Sequence, residues 1–133
     1  MKRNFWLPTA AGLSWLTAAV HIWGGGQDVL APLLAVDMSD LLQVYVLVLW
    51  HFVTVVLILG SAVLTAATRQ PDRFAGAAWL TLGQYAAIAL LFVGYGLASL
   101  KSLWLTPQWS IFLVIMILAA TGLLRQKARK SAI

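Results

Sequence analysis

The sequence predicts an all-α integral membrane protein built as a four-helix transmembrane bundle, and three observations predict it. Apolar residues make up 62% of the 133 positions and charged residues 10%, against roughly 45–50% and about 25% in soluble domains. Four apolar runs, Phe5–Trp23, Leu41–Ala67, Phe74–Ser99 and Pro107–Leu124, contain no Asp, Glu, Lys or Arg. Each is close to or above the roughly 20 residues that carry a helix across a hydrocarbon core. Eight of the nine basic residues fall on one side of those runs. The runs are too long for barrel strands and do not alternate, which leaves helices as the spanning element. The same composition excludes a soluble enzyme, a disordered chain and a nucleic-acid-binding module. The net charge of +5 is a topology signal here, because the basic residues sit at the ends of the runs.

The first span carries Pro8 in its opening turn, where a missing N–H costs little. Ala10, Ser14 and Ala18 form a small-residue stripe, which predicts a face packed against another helix. Ser14, Thr17 and His21 share that side, and the two hydroxyls are expected to serve close packing and to bond back to carbonyls. Gly24-Gly25-Gly26 is expected to stop the helix. Lys2-Arg3, the apolar run and Thr17-Ala18-Ala19 also fit a cleaved signal peptide loosely. The run is long for that role and carries Trp6, Pro8, Trp15 and Trp23, so it is read as a span.

The segment Gly24–Asp40 stays apolar from Val29 to Leu34. It is expected in the outer interface, as a short helix. Asp40 with Gln43 reads as a capping box opening the second span. The second and third spans exceed the bilayer requirement and must tilt or protrude. Between them Thr68–Arg73 is short enough to force an antiparallel hairpin. Thr106-Pro107 reads as an N-cap followed by proline at the first helical position of the fourth span. Trp6, Trp23, Trp104 and Trp109 lie near the span ends, as an aromatic belt requires.

Orientation follows from the loops. Lys2, Arg3, Arg69, Arg73, Arg125, Lys127, Arg129 and Lys130 lie on one side, and Lys101 lies on the other with Asp28, Asp37 and Asp40. The positive-inside rule places both termini in the cytoplasm, and the expected location is a bacterial inner membrane. Four short spans enclose little volume, which predicts a homo-oligomer or a subunit of a larger membrane complex in the lipid bilayer.

Polar residues inside the spans nominate the site. His51 lies 11 residues beyond Asp40, about 16 Å along the helix at 1.5 Å per residue. That is near the midplane, where an ionisable group is a functional candidate. The alternative is a neutral histidine holding one interhelical hydrogen bond. Gln84 has a similar depth from the opposite side and is the expected partner. His21, Tyr95 and Asp28 lie toward the outer end. The polar groups thin out toward the cytoplasm, which predicts an outward-facing pocket with His51 and Gln84 at its base and His21, Tyr95 and Asp28 at its mouth.

Such a pocket suits a binding or accessory protein holding a small molecule, a lipid headgroup or a proton. A second reading makes His21 and His51 ligands in a redox protein that binds haem, copper or a quinone. Helical rise separates the two histidines by about 10 Å in depth, which counts against a shared metal. A third reading is a small homodimeric proton-coupled transporter or channel. Enzymatic chemistry has little to work with. The chain has no Cys and no Glu, no Asp lies within a span, and no phosphate-binding glycine motif or catalytic triad is present. In length and helix count the chain is similar to the small multidrug resistance transporters and in size to the dimeric fluoride channels. It lacks the intramembrane Glu of the former and the glycine and phenylalanine motifs of the latter, so no residue role is carried over.

Overall fold

A computed structural model describes residues 5–131 and the side chains of residues 5–128. Lys2 and Arg3 lie outside the described residues, as do the side chains of Arg129 and Lys130. The described chain is helical, with no strand. Four long helices, α1 (Trp6–Gly25), α3 (Asp40–Arg69), α4 (Pro71–Ser99) and α5 (Gln108–Ser131), are joined by short connections. A π-helical turn at Gly26–Leu30 and the four-residue α2 (Ala31–Leu34) follow α1. The helices close a ring in which α1 packs on α3, α3 on α4, α4 on α5, and α5 on α1. Three of them, α3, α4 and α5, are long and apolar enough to cross a membrane. The fourth, α1, is diluted by Trp, Pro, Ser, Thr and His.

Small residues set the close contacts of the ring. Leu7, Ala10, Ala11, Ser14 and Ala18 are the buried side of α1, so the small-residue stripe is the packed face. A Cβ added at Gly122 would lie 2.9 Å from the backbone nitrogen of Leu7, and one at Gly60 would lie 2.6 Å from the Tyr85 hydroxyl. Only glycine lets those neighbours approach so closely. Beyond this core, Leu and Val side chains such as Leu59, Leu80 and Leu90 point outward over the whole surface, the reverse of a soluble fold.

Three local expectations need correction. Gly24-Gly25-Gly26 does not stop the helix. The chain passes through it with right-handed helical dihedrals into the π turn and α2. Glycine permits a break but does not impose one, and the apolar segment after it is itself helical. The cap of α3 is Ser39, whose Oγ accepts from the Leu42 N–H, and Asp40 is the first helical residue. There its charge favours the helix N-terminus. Thr106 does not cap α5, because its Oγ1 is buried with no hydrogen-bond partner. The turn is closed instead by the Ser110 N–H and Oγ–H, both donating to the Pro107 carbonyl.

The remaining connections agree closely with the sequence. Gln70 alone separates α3 from α4 and makes them a tight hairpin. At the other end α4 closes with the Leu100 and Ser102 N–H groups on the Gly96 carbonyl, and Lys101 takes a left-handed φ of 55°. Lysine thus takes the left-handed position past the helix end where glycine is usual.

Candidate functional site

Where the C-terminal end of α1 meets the N-terminal half of α3, the described residues form a distinctive polar arrangement. The His21 ring stacks on the Trp50 indole with centroids 4.3 Å apart and planes 20° apart. His21 Nε2 lies 3.5 Å from the Trp50 carbonyl oxygen, at the long limit of a hydrogen bond. A carbonyl only accepts, so in the neutral ring Nε2 carries the proton and Nδ1 keeps its lone pair. Gly25, one helical turn beyond His21, makes room for the indole, since a Cβ there would lie 3.0 Å from Trp50 Cη2. The indole is thus held between an imidazole and a bare stretch of helix.

This contact places the two histidines in one layer. The Trp50 carbonyl that receives His21 is bonded to the backbone nitrogen of His51. Helical rise separates them by about two turns only if the second span starts at the boundary. In the structure α3 runs 30 residues from Asp40, about 45 Å at 1.5 Å per residue, and so overshoots a hydrocarbon core of about 30 Å. His51 itself points away from the ring of helices, is exposed, and has no hydrogen-bond partner among the described residues.

The other expected site residues lie elsewhere. Thr81 and the Tyr85 hydroxyl both face Gly60, and the short Thr81 side chain sets a register that puts Gln84 opposite Leu57, six residues below His51 along α3, about 9 Å by helical rise. Gln84 is exposed on α4, and no hydrogen bond joins it to His51. Tyr95 is exposed near the C-terminal end of α4 with no bond to either histidine, and Asp28 is exposed in the π turn with no ion pair to His21. Of the five residues, the structure brings together His21 and His51.

A second polar cluster sits at the centre, between α1, α3 and α4. Ser14 Oγ lies 2.7 Å from Ser61 Oγ and 2.6 Å from the Tyr85 hydroxyl, and all three residues are fully buried. Ser61 Oγ donates to the Leu57 carbonyl. Each hydroxyl has one proton, so the order is forced: Tyr85 donates to Ser14, Ser14 to Ser61, and Ser61 to Leu57. Ser14 therefore bonds across helices rather than back to its own carbonyls, whereas Thr17 does donate back to the Leu13 carbonyl. The small-residue stripe marks Ser14 as packed, but nothing in the spacing connects it to Tyr85. The cluster contains no base and no acid, and water is excluded, so it is a helix-joining element.

Nearer the basic end, Thr65, Thr68 and Thr81 donate to carbonyls of their own helices, and Trp15 Nε1 donates to Thr65 Oγ1. A shallow open cleft lies at that end between α4 and α5, lined by Pro71, Asp72, Trp79, Gln126 and Lys127. Gln126 Oε1 is buried there without a partner. Among the described residues, no group of three or more His, Cys, Asp or Glu is placed to hold a metal ion.

The chain matches no family model, no curated protein and no solved structure.

Proposed function

We propose that this chain is a small four-span protein of a bacterial inner membrane, with both termini cytoplasmic, that binds a small ligand at the His21–Trp50–His51 layer in a binding or accessory role. The observation that carries the reading is the stacked His21–Trp50 pair beside the unpartnered His51. An imidazole on an apolar helix surface is costly without a partner, and the indole clasped between His21 and Gly25 fixes the level of His51 beside it.

The contacts of α1 support its role as the fourth span. It meets α5 at Leu7 and Gly122, α3 and α4 at Ser14, and α3 again at His21 and Gly25. A helix that accompanies α3 over this length occupies the same slab. The distribution of charge supports the orientation. Arg69, Arg73, Arg125 and Lys127 share one end of the helices, and Lys101 lies at the other with Asp28, Asp37 and Asp40.

A second reading is a quinone site. The exposed, unpartnered His51 favours it, because a quinone is flat, lipid-soluble and carries carbonyl acceptors for an imidazole N–H, His21 having given its own to Trp50. Haem or copper has less support, since no group of three or more His, Cys, Asp or Glu is gathered among the described residues.

The test is purification in mild detergent of the wild type, His21→Ala and His51→Ala. Bound metals, the visible spectrum and the extracted small molecules are then compared. The proposal expects a stoichiometric molecule in the wild type that both variants lose while keeping their thermal stability. A quinone in that extract selects the second reading. If the wild type carries nothing that the variants lose, the histidines are structural and the proposal is overturned.

A further inference from the structure

The cleft between α4 and α5 at the basic end is polar at its mouth and apolar along its length. Asp72 and Lys127 stand at the mouth, and Ala75, Trp79, Leu123 and Leu124 line the rest. Trp79 is seven residues along α4 from Asp72, and Leu123 is four residues before Lys127, about 10 Å and 6 Å toward mid-helix by helical rise. The cleft has a volume of about 190 Å³, below the roughly 300–1,000 Å³ that encloses a whole small molecule. Trp79 and Leu124 are about half exposed, so its apolar part is open to the side. A furrow of this shape holds part of an amphiphile and leaves the rest in the bilayer.

Charge selects the amphiphile. Arg69, Arg73, Arg125 and Lys127 occupy this end of the helices, and Asp72 is the one acid there among the described residues. Arg73 is two residues from Pro71 and Arg125 is two from Lys127, so both leave their helices within about 10–12 Å of the mouth, one helix diameter. That is comparable with the screening length of about 8–10 Å in salt. A basic pocket between spans at a membrane face suits an anionic lipid headgroup. A soluble anion would leave the apolar length unused. A second copy in the same orientation would bring its own basic end to the same depth, and like charges would meet.

We propose that this cleft binds one phospholipid with an anionic headgroup, its phosphate beside Lys127 and the upper part of an acyl chain along Ala75, Trp79, Leu123 and Leu124. Asp72 opposes the phosphate. Its place is the first turn of α4, where a negative charge favours the helix N-terminus. The inference rests on the reading of α4 and α5 as membrane spans and is independent of the histidine layer.

The delipidated full chain in mild detergent is titrated with phosphatidylglycerol or phosphatidylcholine, and bound lipid is counted by native mass spectrometry. One phosphatidylglycerol should bind more tightly than phosphatidylcholine. Lys127→Gln should raise its dissociation constant about 5-fold, the factor for one basic residue near an anionic lipid surface. Asp72→Asn should lower the constant. Ala75→Phe fills the cleft without changing the net charge, so it separates a built site from diffuse attraction to the basic end and should weaken binding. Equal affinity for the two lipids, an unchanged constant in Lys127→Gln or Ala75→Phe, weaker binding in Asp72→Asn, or equally tight binding of glycerol phosphate overturns the proposal. Failure of the transmembrane reading shows separately, as Lys101→Cys and Gln70→Cys labelled from the same side.

Discussion

Ser14, Ser61 and Tyr85 bring three hydroxyl protons to a sealed site and use all of them in one direction, from Tyr85 to the Leu57 carbonyl. The direction makes the three residues unequal. Tyr85→Phe removes the first donor and leaves Ser14 short of one incoming bond, while Ser14 still donates to Ser61. Ser14→Ala breaks the chain in the middle, leaves a gap in a sealed site and takes from the Tyr85 O–H its 2.6 Å acceptor. A buried donor left unmade costs about 1–3 kcal/mol, whereas a net hydrogen bond is worth about 1 kcal/mol. Ser14→Ala should therefore lower stability more than Tyr85→Phe, read from thermal unfolding in detergent. Equal losses would mean that water or another rotamer rescues the tyrosine. Lys101 gives a residue-scale prediction of opposite sign. Its φ of 55° costs a side chain about 1 kcal/mol or more, and its bond from Nζ to the Ala98 carbonyl is exposed. Lys101→Gly should raise stability by up to about 1 kcal/mol, and a lower midpoint would show that the lysine bond outweighs the backbone cost.

At the scale of the helix, glycine has two opposite meanings here, and only the neighbours distinguish them. At Gly122 a Cβ would press on the Leu7 backbone at 2.9 Å, where no side chain can rotate away, while at Gly12 it would meet nothing within 4 Å. Gly122→Ala should cost about 1–3 kcal/mol through the α1–α5 contact. Gly12→Ala should raise stability by about 0.4–1 kcal/mol. Chemical or thermal unfolding of the pair tests both signs at once. The same ambiguity explains which parts of the fold are legible in the sequence. Length, apolarity and the Thr68–Arg73 loop determine the long helices and the hairpin, because lipid allows the chain few alternatives. The stripe Ala10, Ser14 and Ala18 marks the packed face of α1. Gly24–Gly26 reads as a stop and is not one, because the segment after it is apolar enough to continue as helix. The depth of His51 is illegible for a related reason. Rise per residue fixes distance along a helix but not where a helix longer than the bilayer sits relative to its neighbours. The Gly25–Trp50 contact sets that offset, and it joins two helices whose relative height no local pattern encodes.

For the whole molecule, orientation is the claim from which the others take their meaning, since the histidine layer faces outward only if the basic end faces inward. The described basic side chains Arg69, Arg73, Arg125 and Lys127 all occur where α3 ends, α4 begins and α5 ends, with the start of α1 among them through Arg125 over the Trp6 ring. At the opposite end Lys101 is the basic residue, near Asp28, Asp37 and Asp40. Basic loop residues resist translocation and acidic ones contribute little, and the proposed orientation rests on this asymmetry. The α3–α4 hairpin provides the sharpest check, because Gln70 and Lys101 lie at opposite ends of α4 and both are exposed. With no native cysteine, a membrane-impermeant maleimide applied to intact spheroplasts should label Lys101→Cys at once and Gln70→Cys only after the membrane is opened. Labelling in the reverse order would turn the molecule over, put His21 and His51 at the cytoplasmic face, and make any ligand they hold a cytoplasmic one. Labelling of both from outside would remove α4 from the membrane altogether, and with it the lipid that makes an unpartnered His51 and Gln84 costly.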